Sequence, residues 1–227
     1  MAITRMPEES LIPLNHGVAE KGQNLALIAP GTGLGLALVP CQNGLYEPIS
    51  SEGGHADFAP NSEAEMDLWR YLHRTFGHVS IERVLSGTGL VNIYEWLVAS
   101  GKWDTPDWLK EMFAKMDPAR AISETALKNK DSGCVKALDR FVAIFGAVAG
   151  NVALTGMSTG GVYLGGGIPP KILSKLRDGS FIRAFTNKGR FQTLLEKIPV
   201  WVVLNDRAAL IGAAHYALNF PEGAHSS

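Results

Sequence analysis

The chain has 227 residues, 46% hydrophobic and 19% charged, with 21 basic against 22 acidic side chains and a formal net charge of -1. That length can bury a substantial core, as one large domain or two small ones, and the charge balance argues against disorder, nucleic-acid binding and a polyanion-binding surface. Two cysteines, Cys41 and Cys134, are too few for a disulfide framework or a cysteine-rich zinc site, which fits a reducing compartment.

Residues 1–24 read as an irregular lead-in. Its opening, MAITRMPEESLIPLNHG, has no apolar h-region, and no stretch of the chain approaches the roughly 18 apolar residues of a membrane span. The expected location is therefore the cytoplasm, without membrane contact. The apolar run Leu25 to Ala29 predicts a strand entering the glycine-rich APGTGLG, and Leu34 to Val39 predicts a second. Asn43-Gly44 is a hairpin signal, and Leu45 to Ser50 is the expected return strand, so this region reads as a β-meander at a sheet edge.

Asn61 or Ser62 can cap a helix whose first turn holds Glu63 and Glu65 and which Gly77 can stop. A further helix is expected from Thr88 to about Ser100, and short helices between Gly101 and Lys130, where Pro106 and Pro118 interrupt. From Asp131 to about Leu154 the chain is apolar on most faces and carries Gly146, Ala147, Ala149 and Gly150, the pattern of a buried central helix in close contact with neighbours. Gly161 to Leu164 reads as a buried strand, Pro169-Pro170 opens another helical stretch, and Val200 to Leu204 is the last strand. Asn205 or Asp206 then caps a final helix. The domain expected from these elements spans residues 25–218, with 219–227 a flexible tail.

Gly31-Thr32-Gly33-Leu34-Gly35 lies between two strands, where exposed backbone amides and the Thr32 hydroxyl can cradle a phosphate; a tight hairpin turn explains the same residues. No Gly-Lys-Ser/Thr follows, so it is not a P-loop, and a strand in place of a helix comes next, so it is not the dinucleotide fingerprint. Ser51-Glu52-Gly53-Gly54-His55 sets a carboxylate and an imidazole three residues apart, acceptors suited to a neutral polyol, although a surface turn would look alike. Glu82 precedes Ser86-Gly87-Thr88-Gly89, where Ser86 or Thr88 can cap a helix; Glu82 matters only if folding carries it to Glu52 and His55. Gly156-Met157-Ser158-Thr159-Gly160 fits the serine-hydrolase pattern with the flanking helix and strand in reversed order, so a nucleophilic Ser158 is not expected. Gly165, Gly166 and Gly167 follow a strand and precede a helix, a place where a flat ring or a phosphate can approach the backbone; packing alone also accounts for them.

In series, APGTGLGLALV, SSEGGHADFAP, ERVLSGTGLVNIY and GGVYLGGGIPP closely resemble the bacterial ATP-dependent glucokinases of the actin-like ATPase superfamily, from Leu25 to His215. The resemblance implies an α/β fold, the ribonuclease H-like large domain of that superfamily, with a mixed sheet flanked by helices. It implies phosphorylation of glucose to glucose 6-phosphate by ATP, the first step of glycolysis, with Mg2+ carried by ATP and a homodimer as the assembly. Glu52, His55 and Glu82 fall where the family holds glucose hydroxyls, Gly31 to Gly35 on its second phosphate loop, and Gly165 to Gly167 on its adenosine-side turn. A related repressor and kinase family carries a cysteine-rich zinc loop after the histidine; this chain has no such cysteines, so no metal site is implied.

The family also carries an Asp-x-Gly-Gly-Thr phosphate loop on a first strand and an Asn-Asp pair whose aspartate is the base for the sugar hydroxyl. Neither stands at its expected place here, and Asn205-Asp206 near the C-terminus is no replacement. The expectation is a chain without the N-terminal small domain, without a catalytic residue of its own and inactive alone. The alternative is a non-catalytic sugar-binding or interaction module derived from such an enzyme.

Overall fold

The computed structural model describes residues 8–205 and 207–219. Its main sheet has five strands in the order β1 (Leu11–Pro13), β7 (Val200–Val203), β6 (Gly161–Leu164), β2 (Leu25–Pro30) and β3 (Leu34–Val39). The central strands β7, β6 and β2 are parallel, whereas β1 and β3 run antiparallel at the two edges. A parallel pair cannot be closed by a tight turn. Accordingly α1 (Glu63–Phe76), α2 (Gly87–Ala99), α3 (Asp107–Lys115), α4 (Pro118–Leu127) and α5 (Ser132–Thr155) lie between β2 and β6 in the chain. The shorter α6 (Leu173–Leu176), α7 (Ser180–Thr186) and α8 (Gln192–Lys197) link β6 to β7, and α9 (Ala208–Asn219) closes the described chain.

Side chains alternate across β2, so Ala26 and Ile28 enter the large core while Leu25 and Leu27 reach a smaller cluster with Tyr163, Trp201 and Val203 on the opposite face. In that smaller cluster the rings of Tyr163 and Trp201 stack with centroids 4.9 Å apart. The large core is built on α5, where Phe141 and Phe145 are fully buried and Phe145 meets Phe181 of α7 edge-to-face at 5.2 Å. Gly146 and Gly150 let the two helices approach, because a β-carbon on either would overlap the carbonyl of Phe181 or Phe185.

Helix starts follow the expected chemistry. Ser62 caps α1 by accepting from Glu65 N–H at 3.3 Å, and Glu65 reaches back to accept from Asn61 N–H at 2.8 Å. The Glu65 carboxylate is buried and paired with Arg140 at 3.1 Å, which ties α1 to α5. Asp131 caps α5 through Cys134 N–H at 2.7 Å. Gly77, at φ 70, ends α1 in a conformation that disfavours any side chain.

The structure corrects four expectations. The lead-in is not wholly irregular, since Leu11–Pro13 pairs with β7 as an edge strand. The return strand from Leu45 to Ser50 shrinks to β5 (Leu45–Tyr46), paired with β4 (Cys41–Gln42), plus a single bridge from Leu38 to Ile49. Pro48 stands between these pieces and has no N–H for a ladder. The last helix runs through Asn219, and residues 220–227 of the expected tail lie outside the described residues, as does Asp206. Finally, α5 is long and apolar enough to cross a membrane by length and composition, yet 67% of its most apolar window is buried inside the protein. A helix enclosed by its own core is as apolar as a span.

Candidate functional site

Strands β2 and β6 run parallel and end side by side, the position where open α/β sheets gather ligands. There the chain turns through Gly31-Thr32-Gly33 after β2 and through Gly165-Gly166-Gly167 after β6. The two turns are joined: Gly165 N–H donates to Ile28 O at 2.9 Å and Ile168 N–H to Pro30 O at 3.3 Å. Gly166 sits at φ 81 against the Pro30 carbonyl, a close approach only glycine permits. In front of Gly31 and Gly167 there is open space, with no atom within 4 Å of where a side chain would begin. A phosphate or a flat ring can therefore reach both backbones.

Behind the first turn stands the N-terminus of α2, whose Gly87 N–H donates to Gly31 O at 2.8 Å. The positive end of this helix dipole thus lies against the glycine turn and favours negative charge there. Ser86 caps the helix through Gly89 N–H at 3.0 Å, while Thr88 supports it by a 3.0 Å contact between hydroxyls. Gly35 lies beyond the turn, inside β3 and opposite Ala29, so it belongs to the ladder that carries the turn.

Glu82 lies in the short 3-10 turn Ile81–Arg83, and its Oε2 accepts from Leu34 N–H at 2.9 Å. A β-carbon on Gly33 would stand 2.7 Å from that oxygen, so the glycine makes room for the carboxylate. Forty-eight residues separate the bonded pair, and no local spacing announces it. Glu82→Ala is expected to cost about 1.5 kcal/mol, the lower range for a charge-assisted bond at a half-buried site. Glu82→Gln should cost less, since its amide oxygen still accepts; urea unfolding that gave equal losses for both would remove this bond from the account.

The turn bearing Glu52 and His55 packs beside Glu82. Gly53–His55 form a 3-10 turn with His55 N–H donating to Glu52 O at 2.9 Å, and Gly54 abuts the Leu34 carbonyl with no space for a side chain. Two backbone bonds fasten it to the Glu82 segment, Ile81 N–H to Ala56 O and Phe58 N–H to Val79 O, each 2.9 Å. Glu52 and His55 remain exposed, free to meet a ligand. Asp57 next to them is engaged by His78 at 2.9 Å. Folding therefore gathers Gly31 to Gly33, Glu82 and the Glu52–His55 turn around Leu34, with Gly165 to Gly167 alongside. Sequence reasoning missed Leu34 N–H and Gly54, which hold the parts together; the paired glycines at 53 and 54 were the only local sign. Ser158 stands apart, buried between α5 and β6 with no hydrogen-bond partner for Oγ among the described residues, and no base activates it.

A glucokinase family profile matches residues 1–220. The chain belongs to the glucokinase family. It is 39% identical to a glucokinase of Nostoc punctiforme over 226 residues, covering 93% of this chain and 66% of that protein. With a glucokinase of Chromobacterium violaceum it shares 42% identity over 219 residues, covering 96% of this chain and 60% of that one. The chain thus spans less than two thirds of the length of these curated relatives. The crystal structure of a glucokinase from an Antarctic psychrotroph superposes with a TM-score of 0.83 at 30% identity, covering 94% of this chain and 63% of that one. The α/β architecture, a mixed sheet flanked by helices, is that of the glucokinases and of the actin-like ATPase fold.

Proposed function

We propose that this chain forms the sugar- and nucleotide-holding face of an ATP-dependent glucokinase. The observation that carries the reading is the convergence of the Glu52–His55 turn, Glu82 and both glycine turns on one end of the sheet. In this reading Glu52, His55 and Glu82 hold glucose, whose hydroxyls need polar partners to offset their lost hydration. Glu82 has a double part, since Oε2 fixes the glycine turn through Leu34 while Oε1 is left to accept from a sugar hydroxyl. Thr32 and Gly33 offer N–H and hydroxyl donors to phosphate oxygens beside the α2 N-terminus, while Gly31 N–H donates to Gly33 O at 2.8 Å and shapes the turn, its bare α-carbon leaving room for the ligand; Gly165 to Gly167 face the nucleoside side. Mg2+ enters with ATP as part of the substrate. In phosphoryl transfer such positioning and charge stabilisation supply most of the catalysis.

Glucose should therefore stabilise the chain. At a hundredfold excess over Kd the gain is about 2.7 kcal/mol, which raises Tm by roughly 5–10 °C for a protein of this size. His55→Ala should abolish most of that shift and leave Tm without sugar unchanged, because the imidazole is exposed. Absence of any glucose-dependent shift in the parent chain would contradict the reading.

A further inference from the structure

One face of α1, the C-terminal half of α2 and α5 border a two-lobed cleft away from the site above. One lobe, of about 310 Å3, is walled by Trp96 and Trp103 and ringed by Lys102, Lys136 and Arg140. The other, of about 230 Å3, carries Arg70 and Arg74, and both share Asp67 and Trp96. Among the described residues that line the cleft, five are cationic and one, Asp67, is acidic, with Glu95 near Tyr71 at the second lobe, in a chain whose overall charge is -1. The carboxylate is already engaged, with Asp67 held by Arg70 at 2.7 Å, and Arg140 is paired with Glu65. Lys102, Lys136 and Arg74 form no ion pair among the described residues. Net charge near zero argued against an anion-binding surface, but it averages over this local excess.

Concentrated positive charge over half-buried indole walls favours a ligand with anionic groups and an apolar or flat body. Lobes of this size lie at the small-molecule end of binding cavities and are too small to bury a folded partner. A second copy docked about a two-fold axis would set like charges against like. The cleft is also separate from the proposed glucose and ATP face, because α2 is about 20 Å long and touches Gly31 at its other end.

We propose that this cleft binds a small organic anion bearing two phosphate groups, one in each lobe, with Trp96 between them. The test titrates a hexose bisphosphate into the full chain at low salt, read by tryptophan fluorescence and calorimetry, beside a Lys102→Glu/Lys136→Glu double variant. Both lysines are exposed, so the variant should keep the parent's circular dichroism and Tm. The expected result is saturable binding that saturating glucose does not displace, that inorganic phosphate reproduces only weakly, and that the double variant weakens at least about tenfold. No saturable binding, undiminished binding by the variant, or displacement by glucose would overturn the proposal. So would tighter binding of an oligo-glutamate peptide, or a dimer that the charge reversal dissolves, since those assign the cleft to a protein partner or a second copy.

Discussion

Mixed with glucose and magnesium ATP, the purified chain is expected to form no glucose 6-phosphate above a heat-treated control, once contaminating kinase is excluded. The carboxylates assigned to the sugar are Glu52 and Glu82, Glu82 already holds Leu34 N–H, and Asp57 beside them is engaged by His78. By family resemblance both are hydroxyl acceptors, whereas the base is an aspartate in an Asn-Asp pair. The chain's one such pair, Asn205-Asp206, is followed by α9, where Asn205 Oδ1 accepts from Arg207 N–H at 2.9 Å. General-base catalysis typically contributes ~10²- to 10⁴-fold in rate, and the expected result follows if no residue of this chain supplies it. Turnover that co-purifies with the chain and falls with Glu52→Ala would contradict this and place a base among the residues present.

The largest expected change in stability is at Gly146. Gly146→Val should destabilise the fold by about 3 kcal/mol, because the β-carbon alone would overlap the Phe181 carbonyl where α5 and α7 meet and the γ-branches add further bulk. The gain in helix propensity over glycine is only a few tenths of a kcal/mol for valine and does not offset backbone overlap. For a protein of this length the cost corresponds to a fall in Tm of roughly 6–12 °C. An unchanged Tm would mean that α7 is free to move away, so that this contact does not define the core.

The small residues that make this crossing possible were readable in the sequence, as were the strands on either side of Gly31 and the cap at Ser62. Each of these has a local cause: an apolar run, a hydroxyl ahead of a helix, a glycine beyond it. The strand Leu11–Pro13 had none. Three residues containing a proline carry no period, and their conformation is set by pairing with Val203, Val202 and Trp201 nearly two hundred positions away. The shortened β5 likewise reflects tertiary context, because Pro48 interrupts the ladder while Ile49 still bridges to Leu38.

The candidate site divides in the same way. Glycines at 31, 33, 165, 166 and 167 and the Glu52–His55 turn are visible as motifs, yet whether they are punctuation or a site depends on what they face. Glu82 had no local distinction at all. Its place emerges from one hydrogen bond to Leu34 across the sheet end and from the backbone bonds that clip residues 56–58 onto residues 79–81. The basic cleft behind α1 and α2 was likewise hidden, since its five cations come from three separate stretches of chain, Arg70 and Arg74, Lys102, and Lys136 and Arg140, that are unremarkable one by one.

The most direct test of the central claim, that these turns form one sugar-holding face, is a calorimetric titration of glucose into the parent chain and into Glu52→Ala. Glu52 is exposed, so its removal should leave the fold intact and act on the ligand alone. The account predicts saturable glucose binding by the parent, weakened about 10- to 150-fold by the substitution, the range for losing a hydrogen bond to a charged group. Glucose binding of equal strength in both proteins, or none in the parent, would contradict it.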